Sequence, residues 1–331
     1  MEVGWRLSCS MVFGPVYSRR LGWSLGVNNL VGKVCSYSCM YCQAGPTVEM
    51  RIERRKFYDP GLIARCAASS CKSVNVDVVT FVPNGEPTLD SLLGRAIRAV
   101  KEACGKPVAV LTNGSLLWME DVREDLMDAD IVSVKVDTVS EETWRRLNRP
   151  HPLLRLDRVL EGIAEFSRSY NGRLLTETML VDGVNDSVEH ARMVGSFLGE
   201  LSPYKAYISL PLRPPADPRA RPPPPGRILA YYKVVEDVLG SGRVEVLWEL
   251  EPPSYKFKDD IIHEIFNMVR VHPVRLEGAC RAAREKGVDC ESLVESLRRE
   301  GLIVVEHEGE KFIVPSARLL PGRWRGEGRS A

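Results

Sequence analysis

Residues 33–43 read KVCSYSCMYCQ, with Cys35, Cys39 and Cys42 spaced C-x3-C-x2-C and an aromatic residue, Tyr41, directly before the last cysteine. Thiolates are soft ligands suited to iron–sulfur clusters. Three of them on one short loop hold three corners of a [4Fe–4S] cube and leave the fourth iron open to a small molecule. A structural zinc site is the competing reading, and it takes four closed ligands. The next cysteine after the loop is Cys66 and the first histidine is His151, so no neighbour completes such a site locally.

Outward from this loop, strands and helices alternate. Upstream, 13–29 (FGPVYSRRLGWSLGVNN) is turn-rich and then alternates into a short apolar strand. Arg19 and Arg20 in it suit a phosphate or carboxylate, or form an exposed structural pair. Downstream, 59–71 opens with Asp59-Pro60, a helix start. Runs of the kind buried on both faces follow at 76–82 (VDVVTFV), 107–112, 131–137 (IVSVKVD), 174–181 and 206–212. Helical segments separate them at 89–104, 118–128, 140–147, 153–170 and 187–201. With the strand before the cysteines, this makes six β/α units. Such alternation implies a parallel sheet with right-handed crossovers, either a partial barrel or an open doubly wound sheet. In both, ligands meet the carboxyl ends of the strands. The cysteine loop, Asn84-Gly85-Glu86, Asn113 and Asp137 all fall there.

Residues 212–226 (LRPPADPRARPPPPG) are too proline-rich for a helix or a central strand and read as a semi-rigid connector. Arg213 would stand on the ligand rim. A helix at 228–239 and an added strand at 244–250 follow. Helices at 260–269, 275–286 and 290–300 then precede a hairpin at 303–314 with its turn at 307–310. The expected division is 1–212 for the core, 213–257 for the connector with its added elements, 258–318 for a small α+β domain, and 319–331 for a basic tail.

A net charge of +1 calls for no nucleic acid or acidic partner through a global field. No apolar run approaches the roughly 18 residues that span a bilayer, and the start lacks a signal-peptide pattern. A cytoplasmic location with no membrane partner is expected. Nine cysteines there point to metal or redox chemistry rather than a disulfide framework. Cys9, Cys66, Cys71, Cys104, Cys280 and Cys290 form no compact ligand set and are expected to be free and inert. The single glutamine, Gln43, beside many Arg, Glu and Pro fits a thermophilic bias.

The cysteine spacing with its aromatic resembles the signature of the radical S-adenosylmethionine (SAM) superfamily. That resemblance implies a (β/α)6 partial TIM barrel. It also implies a cluster on Cys35, Cys39 and Cys42 whose open iron binds the amino and carboxylate groups of SAM. One electron from a ferredoxin or flavodoxin-type reductant would cleave SAM to a 5′-deoxyadenosyl radical that abstracts hydrogen from substrate. Asn84-Gly85-Glu86 stands where the superfamily grips the SAM amino group, with Asn in place of the first Gly. By the same resemblance Asn113 and Asp137 approach SAM, Asp137 at the ribose, and the Tyr41 backbone lies near adenine. Glu177, a polar residue in an apolar strand, faces the interior as a contact for SAM or substrate.

Several stretches across 13–215, among them RLNRPH (146–151) and VDGVND (181–186), are similar to the wyosine-synthetase-related Fe–S oxidoreductases, whose label suggests tRNA modification. Only Cys9 precedes the motif, so the extra cysteines of true wyosine synthases are missing. The C-terminal helices and hairpin resemble a winged-helix module, although the third helix carries Glu291, Glu295 and Glu300 against Arg298 and Arg299. Three functions stay open: radical chemistry on a tRNA base, the same chemistry on a small metabolite or peptide, and a non-catalytic Fe–S sensor that binds nucleic acid.

Overall fold

The structure is a computed structural model that describes residues 9–316 apart from 256, 258 and 259. The tail 319–331 lies outside the described residues. Its framework begins with a hairpin, β1 (Val12–Ser18) and β2 (Gly22–Val27), and a short pair, β3 (Val34–Cys35) and β4 (Glu49–Met50), in the cysteine loop. Then come α1 (Pro60–Ser73), β5 (Val78–Phe81), α2 (Leu93–Cys104), β6 (Val108–Thr112), α3 (Glu120–Leu126) and β7 (Ile131–Lys135). They are followed by α4 (Glu141–Leu147), α5 (Leu156–Ser169), β8 (Arg173–Met179), α6 (Val188–Leu201), β9 (Lys205–Ser209), α7 (Pro225–Leu239) and β10 (Val244–Val246).

Local chemistry starts these helices. Asp59, Ser140 and Ser187 each cap a first turn, their side-chain oxygens accepting from Leu62, Thr143 and His190 amides. The strands β5 to β9 are largely buried because helices cover one face and the interior of the sheet holds the other. Val79, Phe81, Val108, Val110, Val132 and Val134 are essentially inaccessible.

The sheet runs β1-β2-β5-β6-β7-β8-β9-β10, antiparallel only between β1 and β2. The two edge strands do not pair, so the sheet is open. It is curled, however. Arg19, in the β1–β2 turn, donates to the Glu249 carbonyl beyond β10, and Val16 of β1 bridges Tyr255. The segment 249–255 thus spans the gap between the edges, which makes the α/β fold a partial barrel. Among the described residues no helix is long and apolar enough to cross a membrane.

Beyond Asp260, which caps α8 (Ile261–Val269), come β11 (Val274–Arg275), α9 (Leu276–Glu285), α10 (Cys290–Arg299), β12 (Leu302–His307) and β13 (Glu310–Pro315). The last strands pair in the order β11-β13-β12. Ile265, Val274, Ala283, Leu293 and Ile313 form a second core, which Phe13 of β1 enters. Glu308 and Gly309, both at positive φ, make the two-residue turn of the hairpin.

Several expectations need correction. The opening stretch forms two strands rather than one, because the turn at 19–21 folds it back on itself. The connector is not extended throughout: α7 starts at Pro225, where proline's fixed φ and missing N–H suit a first turn. Four cysteines expected to be free are paired, Cys9 with Cys66 and Cys280 with Cys290. Large separation in sequence hid the first pair, and the second joins neighbouring helices α9 and α10.

Candidate SAM and cluster site

The cysteine loop is held from three sides. The Val48 and Glu49 amides donate to the Lys33 carbonyl, and the Arg51 amide to that of Cys35. On another side, the Ser38 amide donates to the Asn148 carbonyl at 3.0 Å and the Met40 amide to Leu147 at 2.9 Å. From a third side the Glu86 amide donates to the Val34 carbonyl at 3.1 Å. Gly85 explains that close approach: a Cβ there would stand 1.8 Å from the Val34 oxygen.

Each ligand sulfur receives a side-chain N–H from a different segment of the chain. Asn113 Nδ2 lies 3.6 Å from Cys35 Sγ, Asn148 Nδ2 lies 3.5 Å from Cys39 Sγ, and Lys33 Nζ lies 3.1 Å from Cys42 Sγ. Burial pushes the thiol of Cys35 up to about 11 and that of Cys39 up to about 12. Both therefore keep their protons at neutral pH until metal displaces them. Burial also works against the charge on Lys33, but the Cys42 and Cys35 sulfurs outweigh it and hold the ammonium above its usual range.

The strand-end residues form a mutual brace. Glu86 is 1% exposed. Its Oε1 accepts from the Thr88 amide and from the hydroxyls of Thr88 and Thr112, while Oε2 accepts from the Asn113 amide at 2.7 Å. Burial nonetheless raises its carboxyl above the usual range. Asn84 beside it is buried, and its Oδ1 has no hydrogen-bond partner among the described residues. Asp137, 4% exposed, accepts from the Tyr41 hydroxyl, from Asn148 Nδ2 at 2.8 Å and from the Met179 amide at 2.8 Å. Lys135 lies over the Tyr41 ring and 3.5 Å from Asp137.

Glu177 is the interior carboxylate. It pairs with Arg20 and with Lys135, and accepts from the Ser209 hydroxyl at 2.9 Å. Burial works against its charge, and the Arg20 and Lys135 cations overcome it, holding its carboxyl well below the usual range. A cavity of about 230 Å³ opens beside these groups, lined by Tyr41, Cys42, Lys135, Glu177, Ser209 and Arg213. The segments 210–213 and 249–251 form its far wall.

The structure thus gathers Cys35, Cys39, Cys42, Tyr41, Asn113, Asp137 and Glu177 into one network. Asn84, Gly85 and Glu86 sit behind the Cys35 side of it. Arg213 pairs with Glu251 at 2.9 Å, and His151 accepts from the Leu153 amide as a local cap. Lys33, Asn148 and Lys135 escaped the sequence reading. Lys33 flanks the motif and Asn148 lies inside the quoted RLNRPH, so position carried the signal, but nothing in composition revealed an N–H aimed at sulfur.

Among the described residues no three or more His, Cys, Asp or Glu side chains converge as ligands of a single ion. A cluster needs something else: separate sulfurs, one per iron, each with a polar partner. The three donor-supplied sulfurs, the neighbouring cavity and the orphaned Asn84 oxygen fit a cluster with a polar ligand beside it.

An open parallel α/β barrel with a C-x3-C-x2-C loop at its carboxyl rim defines a class, and the sequence comparison agrees. The chain belongs to the radical SAM superfamily, whose profile matches residues 29–194. The superfamily uses a [4Fe–4S] cluster and SAM. Within it, the chain is 37% identical to a UPF0026 protein of Methanocaldococcus jannaschii, over 92% of this chain and 95% of that protein. It is 30% identical to the dual-specificity RNA methyltransferase RlmN of Alkalilimnicola ehrlichii, over 48% of this chain and 45% of the relative. In fold it is similar to a radical SAM methyltransferase from Sphaerobacter thermophilus, with a TM-score of 0.52, 18% identity, and coverage of 68% of this chain and 67% of that one.

Proposed function

We propose that this protein is a radical SAM enzyme that binds a [4Fe–4S] cluster through Cys35, Cys39 and Cys42 and cleaves SAM reductively to act on a base in RNA, tRNA first among the candidates. The observation that carries the chemistry is the set of three sulfurs, each with its own N–H donor, beside a cavity lined by Cys42, Tyr41 and Glu177. When bound, the reduced cluster supplies the electron that converts SAM to methionine and a 5′-deoxyadenosyl radical. The chain's own residues do the rest. The Asn84-Gly85-Glu86 loop offers the buried Asn84 oxygen to the SAM ammonium, while Glu86 fixes that loop to Thr112 and Asn113. The Tyr41–Asp137–Asn148 brace fixes the far side of the loop. A ribose contact from Asp137 would require the Tyr41 hydroxyl to give way. Walls that exclude water protect the reactive species.

An RNA substrate is supported by the printed activity of the RlmN relative and by the C-terminal order of helix, strand, two helices and hairpin, which is winged-helix-like. These are warrants by analogy. A small metabolite or peptide is the second reading, favoured by how the C-terminal part braces the cavity wall. His307 Nε2 lies 2.9 Å from the Pro211 carbonyl, and Arg275 donates to the Glu251 carbonyl at 3.3 Å. The exposed face of α10 sets Glu291 and Glu295 against Arg298 and Arg299, with no basic excess for a groove of nucleic acid.

The test is anaerobic reconstitution, reduction with dithionite and addition of SAM, with 5′-deoxyadenosine measured in wild type and Cys39→Ala. Product in wild type alone supports radical SAM chemistry; stimulation by bulk tRNA supports the RNA reading. A loaded, reducible cluster that never cleaves SAM, with tRNA or small-molecule pools added, refutes the enzyme reading in favour of a sensor.

A further inference from the structure

The three N–H donors on the ligand sulfurs are not equivalent. Asn113 and Asn148 present neutral amides at 3.6 and 3.5 Å. Lys33 presents a cation at 3.1 Å, the shortest of the three. Its side chain is buried, and among the described residues no carboxylate pairs with it. The group its ammonium faces is therefore the Cys42 sulfur. Its placement is also fixed from the backbone, because the Lys33 carbonyl accepts from both Val48 and Glu49 as the β3–β4 pair begins.

We propose that Lys33 is a tuning residue that raises the reduction potential of the cluster bound by Cys35, Cys39 and Cys42. This inference rests on the superfamily's cluster and adds to it a role for one side chain. Reduction places one more negative charge on the cluster. A buried cation in contact with a ligand sulfur favours that added charge, and a hydrogen bond to sulfur acts in the same direction. At an effective dielectric of about 20, a unit charge a few ångströms away changes such an equilibrium by more than tenfold. Without Lys33 a stronger reductant would be needed. The two asparagine amides supply orientation and a smaller part of the same effect, since they carry no net charge.

The experiment compares wild type with Lys33→Met, Lys33→Gln and Lys33→Arg after anaerobic reconstitution, with iron counted per chain. The cluster is then titrated potentiometrically in the absence of SAM, and the reduced species is followed by electron paramagnetic resonance. Lys33→Met is expected to make reduction at least tenfold less favourable, which is 59 mV lower for one electron. Lys33→Arg, which keeps the charge, is expected to restore most of that loss. Lys33→Gln keeps an N–H without the charge; it is expected to fall with Met, and it carries the measurement if the Met variant loads poorly. Loaded Met or Gln variants that titrate at the wild-type potential overturn the proposal. A wild type that takes up no cluster at all refutes the cluster assignment instead, and the iron count shows that before any potential is read.

Discussion

Gly85→Ala tests how the second strand's loop fixes the first ligand. The added methyl would stand 1.8 Å from the Val34 carbonyl oxygen, 2.8 Å from its carbon and 2.9 Å from Leu30 Cδ1. An ordinary C···O contact is about 3.3 Å, so the two segments must separate by roughly 1.5 Å, and the obstacle is backbone that no rotamer change can clear. Overpacking of this kind costs about 1–3 kcal/mol. Losing the Glu86 N–H to Val34 hydrogen bond, now 3.1 Å, adds about 1 kcal/mol. The sum, about 2–4 kcal/mol, leaves the chain folded. At about 0.7 kcal/mol per kelvin of unfolding entropy for 331 residues, it lowers the melting temperature by roughly 3–6 °C. The larger effect is local. Cys35 follows Val34 directly, and a displacement near 1 Å at a reacting centre costs on the order of 100-fold in rate. Iron content, thermal melting and 5′-deoxyadenosine yield are measured on the same preparation. A variant with full iron, an unchanged melt and wild-type yield would show that Gly85 does not fix the loop.

Other expectations follow from the same network. Glu177→Gln leaves Arg20 and Lys135 buried without their shared charge partner, and is expected to destabilise the fold by about 3 kcal/mol; an unchanged melting temperature would sink that reading of the interior ion pair. Denatured, metal-free protein without added reductant should titrate five thiols of its nine cysteines, the five being Cys35, Cys39, Cys42, Cys71 and Cys104; a count of nine would deny both disulfides. His272, packed edge-on to Phe13, is held down to about 4 by burial and by nearby Arg213. The unfolded chain binds its proton from about pH 6.5 while the folded one stays neutral, so stability falls as pH drops through that window. By pH 5 the loss reaches about 2 kcal/mol, and His272→Phe should flatten the dependence of melting temperature on pH between 7 and 5.

The fold was legible because its strands are unusual. Runs such as VDVVTFV at 76–82 have no polar face, and only a sheet covered on both sides tolerates that. The ligands were legible because three sulfurs must come from one loop. What stayed hidden depends on side chains meeting across the barrel. Arg20 and Glu177 are 157 residues apart, and Asn148 and Cys39 are 109 apart. Nothing local marks either pair. Likewise Glu86 was legible as a ligand-side carboxylate, but its occupation by Thr88, Thr112 and Asn113 is a property of three converging loops. The Cys9–Cys66 pair escaped for the same reason, and reading the cysteines through a reducing compartment argued against it.

The arrangement also explains why an open sheet suffices. Closing the barrel with paired edge strands would fix its shape through backbone hydrogen bonds alone. Here the interior is fixed by charge instead: Arg20 from the β1–β2 turn reaches Glu177 of β8, which holds Lys135 of β7, which in turn covers Tyr41 of the cysteine loop. The chain of contacts runs from one edge of the sheet through its centre to the cluster ligands. Such a buried charge network resists motion, because releasing one group strands another in a low-dielectric interior. The gap between β1 and β10 is then free to be lined by 249–251 and braced by the C-terminal elements. The near side of the cavity is thus the ligand network itself, Tyr41, Cys42, Lys135 and Glu177, while its far wall comes from 210–213 and 249–251, so the far wall can vary while the cluster loop stays fixed.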